Sequence, residues 1–288
     1  MGTIPIAVCL LAPLVCAVTR LPAQAPESID YGTLMMDGRH AIEAGKPDIA
    51  ATFFQQVFDR MQVSNASTEE QVNVLIALST ARLDSGNLSQ GERLLMLADQ
   101  LLAKEPNPLL QAQLLNNWAS VHLRLGRYAQ AQAESKRAFQ LVENMPAAAE
   151  LTPYLLDSMA VAELYQGQYP QALQHQQDAI DRWLAFLPND HPDLIKGLTV
   201  MSTAQYFMGK FKEARNSLEM AITSAKAKYG RQSPDVARLL RNELIVLNRL
   251  GLKKEVRARQ RELSQIAGPA QATSDVYTRS ASNQIPAR

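Results

Sequence analysis

The side chains able to carry proton, metal or nucleophilic chemistry are few in this chain, and they stand apart. The four histidines, His40, His122, His175 and His191, fall in separate stretches, and none is paired with a carboxylate at a spacing that builds a site. The only cysteines are Cys9 and Cys16, both inside an apolar N-terminal segment. The remainder therefore has no thiol nucleophile, no disulfide and no Cys-ligated zinc. A glycine loop for phosphate, an H-E-x-x-H pair and a nucleophile elbow are all missing from the sequence. Asp and Glu are scattered, as on solvated helix faces. His122 reads as a packing or hydrogen-bonding residue rather than a ligand. The expectation is no catalysis, no cofactor and no metal, which leaves recognition.

Charge narrows what could be recognised. The 288 residues carry 29 Lys and Arg against 28 Asp and Glu, a net charge of +1, which favours no nucleic acid partner. The basic stretch "KKEVRARQRE", residues 253–262, reads as a solvated cap on a last helix. "NAS" at 65–67 and "NLS" at 87–89 match glycosylation sequons, which matter only in a eukaryotic secretory pathway.

The elements that must position any binding side chains are helices. Hydrophobic residues make up 47% of the chain, enough for a substantial core, and alternation at a spacing of two is almost absent. Ala, Leu, Gln, Glu and Arg, all good helix formers, dominate instead. The N-terminus departs from this pattern. Ile4 to Val18 carries no charge, is short for a membrane span, and contains Pro5 and Pro13. The small-x-small pattern Ala23-Gln24-Ala25 follows it. The segment reads as a secretory signal peptide over residues 1–25, with cleavage after Ala17, Ala23 or Ala25. Export to the periplasm or outside a bacterial cell follows, and an uncleaved membrane anchor is the alternative. After cleavage no membrane span is expected.

A repeat organises the rest. Six glycines, Gly45, Gly86, Gly126, Gly167, Gly209 and Gly251, recur at nearly equal intervals along the chain. Eleven positions before each stands a leucine: Leu34, Leu75, Leu115, Leu156, Leu198 and Leu240. Five positions after come Ala50, Gly91, Ala131, Ala172, Ala214 and Val256, and seven before come Gly38, Ser79, Ala119, Ala160, Ser202 and Leu244. An aromatic follows the glycine by two positions at Tyr128, Tyr169 and Phe211. The pattern describes a helical hairpin. Glycine ends the first helix in a left-handed conformation, and small residues let the two axes approach. A single hairpin cannot bury its apolar face, whereas stacked copies can.

On these residues the chain resembles the tetratricopeptide repeat, and "LNNWASVHLRLGRYAQAQ" resembles most the longer subclass seen in kinesin light chains. The resemblance implies an all-α, right-handed superhelix of about six hairpins over residues 29–266. Twelve helices are expected at 29–44, 47–62, 67–85, 88–104, 107–125, 128–144, 149–166, 169–186, 191–208, 211–228, 233–250 and 253–266. Pro47 and Lys253 replace the turn aromatic in the end copies, as capping repeats require. Residues 267–288 read as a disordered tail.

The resemblance also implies a function: a scaffold that binds a protein or peptide in a concave groove lined by the first helix of each hairpin. A structural part of an envelope or secretion complex, one that could self-associate, is the alternative. The implied groove sites lie ten, nine, six and two positions before each glycine. They are Asn116, Asn117, Ser120 and Arg124; Asp157, Ser158, Val161 and Tyr165; Thr199, Val200, Thr203 and Phe207; and Arg241, Asn242, Ile245 and Arg249. Asn amides offer a peptide backbone both donor and acceptor, the aromatics offer apolar pockets, and the arginines match carboxylates. Some family members use a clamp of Lys, Asn and Arg for a C-terminal carboxylate, but the lysines are missing from the equivalent sites here.

His191-Pro192-Asp193 matches the tripeptide of J-domain co-chaperones. Its distance from Ser233-Pro234-Asp235 equals the distance from Gly209 to Gly251, so the two are one joint in successive repeats. Pro fits a first helical turn, and Asp favours the positive end of the helix dipole. The tripeptide is a helix start.

Overall fold

The computed structural model describes residues 31–266; the signal-peptide segment and the tail read from the sequence lie outside them. Twelve α-helices fill the described residues: α1 (Tyr31–Glu43), α2 (Pro47–Met61), α3 (Thr68–Asp84), α4 (Leu88–Leu102), α5 (Pro108–Arg124), α6 (Tyr128–Val142), α7 (Thr152–Tyr165), α8 (Tyr169–Trp183), α9 (Pro192–Phe207), α10 (Phe211–Tyr229), α11 (Pro234–Arg249) and α12 (Lys253–Ile266). A single 3-10 turn, Pro146–Ala148, interrupts the link from α6 to α7. No β-strand occurs among the described residues.

The repeat glycine performs one task six times. At Gly126 φ is +71°, a region where side chains are strained. The Gly126 N–H donates to the Leu123 carbonyl at 3.2 Å and the Arg127 N–H to the His122 carbonyl at 2.8 Å. These two bonds satisfy carbonyls that the ending helix leaves open and turn the chain back on itself. The other five glycines lie between +68° and +83°.

Helix starts follow the sequence signals. Ser67 and Glu70 form a reciprocal capping box at the start of α3. At α11 the Ser233 hydroxyl accepts from the Val236 N–H at 3.3 Å. At α9 the cap is made by a residue type not expected to cap: His191 Nδ1 accepts from the Asp193 N–H at 3.3 Å. The ring nitrogen takes the place that a hydroxyl takes one repeat later.

The small positions hold the hairpins together. Ala50, Ala131, Ala172 and Ala214 are fully buried. A Cβ on Gly91 would lie 2.5 Å from Leu83 Cδ2, and one on Gly38 would lie 2.3 Å from the Phe54 ring, so both helix pairs need the missing carbon. The frame leucines from Leu75 to Leu240 are buried as well. Each odd helix from α3 to α7 packs on the next odd helix, α3 on α5, α5 on α7 and α7 on α9, which makes the odd helices one layer of the solenoid. The largest apolar cluster runs through repeats four to six, from Leu156 and Trp183 to Leu218, Ile222 and Leu240.

Candidate functional site: the inner face of α5, α7, α9 and α11

Most of the side chains expected to face a partner are occupied by neighbouring repeats. The Asn117 amide accepts from the Thr80 hydroxyl at 2.8 Å and donates to the Gln113 carbonyl at 3.0 Å. Asn116 accepts from the Ser158 hydroxyl at 3.1 Å, so the two predicted residues bond one another across α5 and α7. Arg124 donates to the Leu83 carbonyl at 2.7 Å and pairs with Asp84, both on α3. Asn242 corrects the expectation outright. It is fully buried, and neither amide atom has a partner among the described residues, so it faces the core and not a ligand. Asp157 is also buried, with its carboxylate turned to Lys196. Ser158, Thr199 and Thr203 are buried, and the two threonine hydroxyls are returned to backbone carbonyls of their own helix at 2.8 Å. Ser120 and Ile245 are half-buried, and Arg241 stays partly exposed on α11.

The site two positions before the glycine staples successive repeats. The Tyr128 ring stacks on Tyr165 at 4.7 Å between centroids, and Tyr169 stacks on Phe207 at 5.0 Å. One turn aromatic thus covers the end of the next repeat's first helix. In the sixth repeat the same site is Arg249, which donates to the Tyr206 hydroxyl at 3.0 Å and lies 6.0 Å from that ring's centre. Offset stacking and cation–π contact each add about 0.5–1 kcal/mol beyond buried area.

A hollow of about 200 Å³ opens where α7, α9, the end of α10 and the start of α11 meet. Val161, Leu164, Ile195 and Val200 give it apolar walls. Lys196, Tyr229, Asp235 and Arg238 supply polar groups. Lys196 Nζ bonds Asp157 at 2.7 Å, and its side chain is 59% exposed. Asp157, with help from Asp193, holds the ammonium above the ordinary lysine range, against the partial desolvation that opposes it. Arg238 pairs with Asp235 within α11 at 3.2 Å. Burial, then the charges of Asp235 and Asp193, raise the Tyr229 phenol, which stays a neutral donor at neutral pH.

Lys196, Arg238 and Tyr229 are absent from the sites expected from the sequence. Lys196 and Arg238 each stand thirteen positions before their repeat glycine. A stripe at two, six and nine before the glycine continues by the helix period to thirteen and seventeen. Lys196 is the only basic residue of α9, which the sequence displays. Tyr229 carries no comparable signal, since it reaches the hollow only because α10 is long and ends beside α11.

The histidines also differ from expectation, because three of them lie beside carboxylates: His191 beside Asp193 at 3.5 Å along the chain, and two others across a hairpin. His122 Nδ1 lies 2.8 Å from Glu134, and His175 Nδ1 lies 2.8 Å from Glu163. The two pairs occupy equivalent positions with the residue types exchanged. Glu163 is buried and also accepts from the Gln132 amide at 3.0 Å. Its hydrogen bond raises the His175 imidazole above the ordinary range, while burial raises the Glu134 carboxyl. Among the described residues no three His, Cys, Asp or Glu side chains gather where a metal could sit. No helix among them is long and apolar enough to cross a membrane.

Residues 151–227 match the family model for the tetratricopeptide repeat. BtubC (BKLC) from P. vanneervenii is a similar solved structure, at 14% identity and a TM-score of 0.61, with 85% of this chain and 97% of that chain covered. The nearly identical repeats of a putative kinesin light chain from Podosopora anserina match at 15% identity and a TM-score of 0.50, over 68% of this chain and 95% of that one. A Rap protein complexed with competence and sporulation factor matches at 10% identity and a TM-score of 0.57, over 82% of this chain and 76% of that one. No curated protein matches the sequence.

Proposed function

From tetratricopeptide repeats over residues 151–227 and an array that shares their fold, we propose that this protein is a binding scaffold that holds a segment of a partner protein along its inner face. The observation that carries the reading is the hollow between α7, α9 and α11. Its lining is mostly apolar with a few polar groups, and it lies on the layer where successive first helices meet. Concave sites with apolar walls and a few fixed polar groups are where proteins take ligands. The Rap protein is solved with its factor bound, which supports recognition as the use of such an array. The polar groups at the hollow are tied up in ion pairs rather than set as nucleophile and base, so the reading is binding without catalysis.

The uncharged segment Ile4 to Val18 and the following Ala23-Gln24-Ala25 favour carrying out this binding after export. N-terminal sequencing of the protein from its native host tests the cleaved form: a start between residues 18 and 26 supports it, and retention of Met1 overturns it in favour of an uncleaved anchor. For the scaffold itself, affinity capture with the wild-type array and with a variant carrying Val161→Phe and Arg241→Glu is the test. Partners held by the wild type and lost by the variant support groove binding. Equal capture by both proteins overturns it.

A further inference from the structure

We infer that the hollow between α7, α9 and α11 takes one large uncharged side chain, of leucine or phenylalanine size, from an extended peptide whose backbone carbonyls are held by Lys196 and Tyr229. The inference rests on the scaffold reading above and names the chemistry of its ligand.

Size comes first. The hollow measures about 200 Å³. A cavity of about 150 Å³ lined by aliphatic side chains holds a benzene molecule. One aromatic ring or one branched aliphatic side chain therefore fits. Val161, Leu164, Ile195 and Val200 offer such a group no hydrogen bond, so a polar side chain seated there would lose its water without replacement.

Charge comes second. The two cations at the hollow are each matched within the chain, Lys196 by Asp157 and Arg238 by Asp235. A charged ligand group of either sign would have to compete with one of these pairs. An uncharged one leaves both intact. Complementarity here is to a neutral group.

Donors come third. An ammonium has three N–H groups, and the bond to Asp157 uses one of them. Tyr229 is 41% exposed, and its phenol stays protonated. Both groups donate, while the Thr199 hydroxyl beside them is already bonded to the Ile195 carbonyl. Acceptors without net charge, flanking an apolar side chain, describe the carbonyls of an extended backbone.

The test is selection of a random dodecapeptide phage library on the intact chain, followed by anisotropy titration of a selected, labelled peptide. Leu, Phe, Ile, Met or Tyr recurring at one position is expected. Affinity should fall at least about tenfold with Val161→Phe, which fills the hollow, as loss of one buried side chain requires. It should fall a fewfold with Tyr229→Phe, which removes one donor and leaves the fold untouched. Between low and high salt it should change less than about twofold, because no net charge is matched. A charged residue recurring at the anchor position, a steep salt dependence, or unchanged affinity for a Val161→Phe protein of wild-type melting temperature overturns the inference. Hydrogen exchange on the bound complex separates this from failure of the scaffold reading. Protection in α5, α7, α9 and α11 with any of those results sinks only the pocket chemistry. Protection confined to α8 and α10, or recovery of no peptide at all, sinks both.

Discussion

Single side chains in this protein act mainly across the joints between helices. The His175–Glu163 pair is the clearest case, because its imidazole is raised mainly by the Glu163 hydrogen bond. A histidine with a raised folded value binds its proton more tightly when folded. Its stabilising contribution is complete below the unfolded value of about 6.5 and disappears as pH rises through the folded value. NMR titration should place the His175 midpoint above about 6.5 in the wild type and lower it in Glu163→Gln. The melting-temperature advantage of the wild type over that variant should be larger at pH 6 than at pH 9, and an advantage independent of pH would refute the linkage. Glu243 shows the opposite balance. It is buried, burial raises its carboxyl, and Arg259 at 2.7 Å opposes that rise. Removing the cation in Arg259→Met leaves a buried carboxylate without its partner, and should cost about 3 kcal/mol or more in urea unfolding. Glu243→Met together with Arg259→Met should recover most of that loss.

At the scale of elements, glycine marks where two helices come closest. In α9 a Cβ on Gly197 would lie 2.7 Å from Gln176 Nε2 and 3.2 Å from Trp183 Cζ3. Alanine gains about 1 kcal/mol of helix propensity over glycine, while overpacking costs about 1–3 kcal/mol. Gly197→Ala should therefore be neutral to destabilising by about 2 kcal/mol. Gly38→Ala, whose Cβ would lie 2.3 Å from the Phe54 ring, should lose more, because a buried ring yields less readily than an amide tip. Thermal melting of both variants checks the order. The last helix, α12, is held differently. None of its residues is buried, and Arg215–Glu255, Lys226–Glu262 and Arg259–Glu243 pin it to α10 and α11. The basic stretch read as a solvated cap is thus an ion-paired one.

For the molecule as a whole, stability is distributed along the array. The largest apolar cluster spans repeats four to six, while α1 fully buries only Gly38 and Ala41 and α12 adds only the half-buried Leu263 and Ile266. Stacked repeats open from their ends, because an end repeat has a neighbour on one side only. Hydrogen exchange should be slowest in α7 to α10 and fastest in α1 and α12. Added salt should speed exchange in α12 more than in α1, since α12 leans on ion pairs that salt screens. Uniform protection along the chain would contradict this arrangement. The hollow lies next to the most stable part, so its walls are held in place before a ligand arrives.

Helix number, turn positions and the repeat frame were legible in the sequence because they rest on local physics. The glycine of every repeat takes the left-handed turn, and each small residue at a fixed offset marks a close axis approach. Helix boundaries fell within a few positions of expectation for the same reason. The inner face was legible only in part. A helix period shows which residues share a stripe, but not how far the neighbouring helix reaches over that stripe. Tertiary packing decided that Asn242 is buried, that Asn117 and Arg124 bond the preceding repeats, and that Tyr165 and Phe207 are stacked joints. It also brought Tyr229, from the far end of the following helix, beside Lys196 at the same hollow. Such contacts join residues roughly a repeat apart, and their geometry is set by the superhelix rather than by any single helix.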